Sequence, residues 1–160
     1  DADQVEEDVG HILHHVQDMA SPPHVVPVKH WLTDGFESFD VTISSSSSGA
    51  DDCSALLFGT TYEEILQKTA EVTLMGVREG TIAASVGLRS ENLPLTMFWE
   101  EGAGNNMGEY GSLGNSFGDG QIDSVMGTYT VSQAAYRSYK QYQQRLAIEA
   151  SKRVFALWKK

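Results

Sequence analysis

Cysteine is all but missing from this chain: Cys53 stands alone among 160 residues, so no disulfide forms within it. A fold of this length must hold together by burial, and one thiol says nothing about redox compartment. Cys53 lies in the apolar run Cys-Ser-Ala-Leu-Leu-Phe and reads as a small buried hydrophobe. No run of about 18 apolar residues occurs, which leaves no segment able to span a bilayer as a helix. The first residue is Asp1 rather than Met, and no charged-then-apolar leader precedes it. The expectation is a processed chain, or one excised from something longer.

Positive charge is scarce over the first 130 residues. Lys29, Lys68, Arg78 and Arg89 face twenty-one acidic residues there, a balance of −17. Residues 131–160 reverse it, with seven basic residues against Glu149 alone, a balance of +6. An acidic body repels nucleic acid and anionic membrane at range, which argues against both as partners. The basic segment has an obvious electrostatic destination, in its own body or in that of a neighbour. Apolar content of 41% and 21% charged residues otherwise suit one folded domain over residues 1–160.

What is present is led by the last thirty residues. Ala135, Tyr139, Tyr142, Leu146, Ala150, Val154 and Leu157 recur at steps of three and four, with no Gly or Pro between them. That spacing predicts a long amphipathic helix over 131–160, capped by Thr130 or Ser132. At the other end, Val5, Val9, Ile12, Leu13, Val16 and Met19 predict a helix over 1–20 that stops at Ser21-Pro22-Pro23. A stiff, extended connector over 21–35 follows, with Trp31 and Leu32 as anchors.

The sheet region is expected over 36–130. Phe39, Val41 and Ile43 alternate with polar residues and predict a first strand, and the serine run 44–48 predicts a polar loop. Thr61-Tyr62-Glu63-Glu64 is a capping box that starts a short helix ending near Ala70. Val72, Thr73 and Val77 favour a strand over 71–77. A tight turn at Arg78-Glu79-Gly80 would then lead into a second strand, Thr81 to Leu88. Leu95, Met97 and Trp99 predict another strand, and Gln121 to Thr130 a last one. Between these lies a stretch, 101–120, in which seven of twenty residues are glycine. It reads as a long loop, of the kind that is functional or disordered. The fold class is α+β: a mainly antiparallel sheet of about four to five strands, packed by an N-terminal helix, a short middle helix and a long C-terminal helix.

Four motifs carry candidate chemistry. Glu7, His11, His14 and Asp18 follow one another at steps of four, three and four, with His15 beside them. Imidazole and carboxylate at such spacing converge on a divalent metal, so His11, His14, His15 and Asp18 are the candidate ligands. The intervening glutamate of a helical zinc-protease motif is missing, and a histidine-rich solvated face is the competing account. Gly114-Asn115-Ser116-Phe117-Gly118 fits the Gly-x-Ser-x-Gly pattern of hydrolases. It lies in a glycine-rich loop with no strand to deliver the serine, and every histidine precedes it. Gly118-Asp119-Gly120-Gln121-Ile122-Asp123 has the middle of a calcium loop, but Phe117 and Met126 would fall at ligand positions three and twelve. A tight turn is the simpler account. Finally, the glycines of 101–120 lack the Gly-Lys-Ser/Thr of a phosphate loop.

Without a catalytic set, the functional expectation is a non-catalytic structural or interaction subunit of a larger protein assembly. Its partner, or a second copy, would be engaged through the basic C-terminal helix and the Gly-rich loop. The alternative is a metal-dependent binding protein or enzyme built on His11, His14, His15 and Asp18, with a divalent metal as its cofactor.

Overall fold

The computed structural model describes residues 2–29, 33–42, 59–104 and 106–159. The readings made for Trp31, Leu32, Ile43, the serine run and Cys53 lie outside these residues, as does the side chain of Val5. The architecture is α+β. Helices α1 (Ala2–Asp18), α4 (Tyr62–Glu79) and α5 (Gln133–Trp158) accompany a four-stranded antiparallel sheet and a second sheet of two strands. The large sheet has the order β2 (Arg89–Pro94), β1 (Thr81–Val86), β6 (Gly127–Val131), β5 (Gln121–Ser124). The small one pairs β3 (Trp99–Glu100) with β4 (Glu109–Tyr110).

The expected terminal helix is present. Ser132 caps it, its side chain accepting from the Ala135 amide, and its 26 residues run for about 39 Å. That length carries it through two separate cores. Its first turns bury Tyr136 among Phe36, Phe98, Trp99 and Phe117 under the large sheet. Its later turns bury Leu146, Ala150 and Val154 against Val16 and Ala20 of the α1 region and Ile65 and Val72 of α4.

Helix α4 corrects the short helix to Ala70 and the strand placed at 71–77. The capping box forms as read: Thr61 Oγ1 accepts from the Glu64 amide, and Glu64 Oε2 accepts from the Thr60 and Thr61 amides. The helix then continues to Glu79, because Ile65, Thr69, Val72, Thr73 and Val77 fall on one buried face. The Thr69 and Thr73 hydroxyls donate to the carbonyls of Ile65 and Thr69, one turn back, so neither polar group is left unsatisfied on burial. Arg78-Glu79-Gly80 is therefore a helix end. Arg78 pairs with Glu101 through two contacts of 2.6 Å.

The strand expected from the alternation over 38–43 is also absent from the described residues, which form the short helical turn α3 (Gly35–Ser38) and irregular backbone to Thr42. Asp34 caps that turn, accepting from the amides of Phe36 and Glu37. The turn brings Phe36 and Phe39 to the same neighbour, Phe117, at ring-centroid distances of 5.2 and 5.8 Å. Likewise, Pro22 and Pro23 do not open an extended connector. They occupy the first positions of a turn, α2 (Pro22–Val25), where a missing amide proton costs nothing.

Leu95–Met97 forms a 3₁₀ turn and only Trp99–Glu100 is strand, so the strand expected across 95–99 is shortened. The strand Gln121 to Thr130 is instead a hairpin, β5 and β6, whose register pairs Ile122 with Tyr129.

The glycine-rich stretch packs into the core. Leu113 and Phe117 are buried, and the amides of Gly111 and Leu113 donate to the carbonyls of Phe98 and Met97. A side chain at Gly111 would sit 2.4 Å from the Thr96 carbonyl oxygen, so close backbone approach requires glycine here. Tyr110 donates to Asp34 at 2.8 Å, while Asn115 accepts from the Gly35 amide and donates to the Thr33 carbonyl. The loop is thus fastened to the α3 turn by its own chain.

Candidate functional site

The candidate metal residues lie on the exposed side of α1. Its turns place His11 3.9 Å from Glu7 and His14 3.5 Å from Asp18, each an i, i+4 pair. His15 lies beside His14, with ring centroids 6.0 Å apart. The stripe is resolved into two separate imidazole–carboxylate pairs. Among the described residues, no group of three or more His, Cys, Asp or Glu side chains is placed to hold a metal ion.

Ser116 is not joined to a base. Its hydroxyl is buried and has no hydrogen-bond partner among the described residues. The calcium-like stretch forms a turn into β5: Tyr136 donates to the Asp119 carbonyl at 2.9 Å, and Asp123 accepts from Thr128 across the hairpin. Burial pushes the Tyr136 hydroxyl's pKa well above its ordinary value, which keeps it a donor.

The cations of α5 are partly engaged within their own chain. Lys152 pairs with Glu149 one turn away, Lys159 lies over the Phe155 ring at 4.6 Å, and Lys140 points inward to the Phe36 carbonyl. No helix among the described residues is long and apolar enough to cross a membrane.

A site that sequence reasoning missed lies at one end of the large sheet. β1 and β2 are joined by Gly87-Leu88, and β5 and β6 by Val125-Met126. Strands β1 and β6 are antiparallel, with Val86 opposite Tyr129. Continued two residues, that register sets Leu88 opposite Gly127, so both hairpin tips project from the same end. Contact distance confirms it: a Cβ built on Gly127 would lie 3.4 Å from Val86 Cγ1.

Turn geometry does not ask for apolar side chains here. Gly87, at φ +57°, supplies the left-handed residue of the first turn, and Gly127, at φ +119°, that of the second. Ser124 stitches the second turn, its hydroxyl accepting from the Met126 amide and donating to the Gly127 carbonyl. The remaining positions tolerate any polar residue, and turns usually carry one. They hold Leu88, Val125 and Met126 instead, with relative exposures of 106%, 103% and 76%. The signal available in sequence was this pairing of a turn glycine with apolar neighbours.

Beside the tips, the outer face of the sheet carries mostly small side chains, with Asp123 on the same face and Glu91 in the wall of its depression. Ile82, Leu93, Ile122 and Tyr129 point to the core, so Ala83, Ser85, Asn92 and Thr130 alternate to the other face. They line a shallow depression of about 420 Å³. Compared with protein-family models, curated proteins and solved structures, the chain matches none.

Proposed function

We propose that this protein is a non-catalytic interaction subunit that associates with further copies of itself, docking through the hairpin end of its large sheet. The observation that carries the reading is the shared projection of Leu88, Val125 and Met126. Three apolar side chains exposed at the same end of the sheet, where the turns do not require them, are stabilised when a surface covers them. The small-residue face beside them allows a second backbone to approach closely. An anionic bilayer is the poorer occupant, because the body of the chain is strongly acidic. This moves the expected contact away from the basic helix and the Gly-rich loop, whose inner side is spent on the chain's own core.

Sedimentation of the purified chain across concentration and salt tests the reading. Association that persists at high salt and is lost in Leu88→Ser/Val125→Ser/Met126→Ser supports it. A chain that is monomeric at all concentrations removes it, and association that salt dissolves returns the contact to the basic helix.

A further inference from the structure

A second contact surface lies at the end of α5 remote from the large sheet. The helices α1 and α5 run antiparallel there: Gln17 donates to Ser151 at 3.2 Å, and Gly10 and Leu13 stand beside Phe155 and Trp158. Beyond the aliphatic core the two helices open into a groove of about 300 Å³, lined by Glu6, Val9, Gly10, Leu13, Phe155 and Trp158. Phe155 and Trp158 are 39% and 38% exposed, with ring centroids 5.2 Å apart.

The chain's own packing does not require glycine at position 10. Its backbone is helical, and a Cβ built on it meets nothing within 4 Å. Inside a helix only proline is less favourable than glycine. Gly10 is therefore a hole on an exposed helix face, next to two large rings on the neighbouring helix.

The two walls also differ in charge. Glu6 is exposed on α1, followed by Glu7, which pairs with His11. On the other wall Lys159 lies over the Phe155 ring at 4.6 Å, and Lys152, paired with Glu149, stands two turns back. Among the described residues, Glu6 and Lys159 form no ion pair with each other. One wall is small and acidic, the other bulky and basic. A surface that carries both halves of a match fits a second copy of itself turned about a two-fold axis, and makes every contact twice.

We propose that this groove is such a two-fold contact between copies of the chain. Trp158 of each copy packs over the partner's Gly10, and its Lys159 faces the partner's Glu6. The contact is separate from the hairpin end and does not rest on it. Two different two-fold contacts on one molecule extend association from pairs to open chains.

Sedimentation at low ionic strength of the full chain carrying Leu88→Ser/Val125→Ser/Met126→Ser reads this contact alone. A dimer is expected, and adding Gly10→Leu should weaken it about tenfold by filling the hole. That variant should stay folded by circular dichroism with an undiminished urea midpoint, because nothing in its own chain meets the new side chain. Glu6→Lys and Lys159→Glu, each added to the same background, should each disperse the dimer, since like charges then meet twice. Mixing those two chains should restore dimers, because every facing pair is again opposite in sign. Only a second copy in the groove gives that rescue. A monomer in the hairpin background, dimers indifferent to Gly10→Leu, or no rescue on mixing each overturns the groove contact. The hairpin reading fails by a different result: equal association of wild type and the hairpin variant at high salt.

Discussion

The two cores along α5 are built on different plans. Under the sheet, Phe36, Phe98, Trp99, Phe117 and Tyr136 meet ring to ring, with Phe117 and Tyr136 only 4.7 Å apart. They come from a turn, a 3₁₀ exit, a two-residue strand, a glycine-rich loop and a helix. Between the helices, Val16, Ile65, Val72, Leu146, Ala150 and Val154 interdigitate as aliphatic side chains from regular elements. The aliphatic core is the sum of helical stripes that each segment announces alone. The aromatic core exists only when distant, irregular pieces are brought together, and each large ring then holds several of them at once.

That contrast predicts an order of effects. Phe117→Ala should cost about 4 kcal/mol in urea unfolding, since the ring fastens the loop to six other aromatics. Leu146→Ala, in the aliphatic core, should cost about 3 kcal/mol. If Leu146 proves the dearer of the two, the loop is an accessory to the fold and the comparison fails. Thr61→Ala, which removes a cap but touches neither core, should cost about 1 kcal/mol.

Acid gives a further test at the join between the two regions. The Arg78 guanidinium beside Glu101 holds that carboxyl below its ordinary value of 4.5. A folded-state pKa below the unfolded one contributes stability that is present above pH 4.5 and lost as pH falls through the folded value. The urea midpoint should therefore drop on acidification below 4.5, and less steeply in Glu101→Gln. At the small end, Leu88→Ser and Met126→Ser should change stability by no more than about 0.5 kcal/mol, because both side chains are exposed. Their expected effect is on association, read by sedimentation.

The legible and illegible parts divide along the same line. Ser132, the Thr61 capping box and the α1 stripe were readable because caps and 3.6-residue periodicity are local properties. β-branched Val72, Thr73 and Val77 pointed to strand, yet their burial against neighbouring elements outweighed a propensity worth only tenths of a kcal/mol each. Phe39 and Val41 alternate with polar residues as a strand would, yet the described backbone there is the Asp34-capped turn and an irregular segment after it. Glycine at 102–120 was read as freedom, whereas at Gly111 it is the condition for close packing. Of the hairpin-tip site, each residue was visible but their convergence was not: register between β1 and β6 sets it, across more than forty residues of chain.

By itself the sequence determined the α+β class, the three main helices, the split of charge and the absence of an internal disulfide. Those follow from local periodicity, capping and composition. Tertiary structure alone decided that the glycine-rich stretch is core, that two hairpins present one apolar end, and that Lys140 turns inward to the Phe36 carbonyl. Each of these depends on non-local contact, which no spacing along the chain encodes.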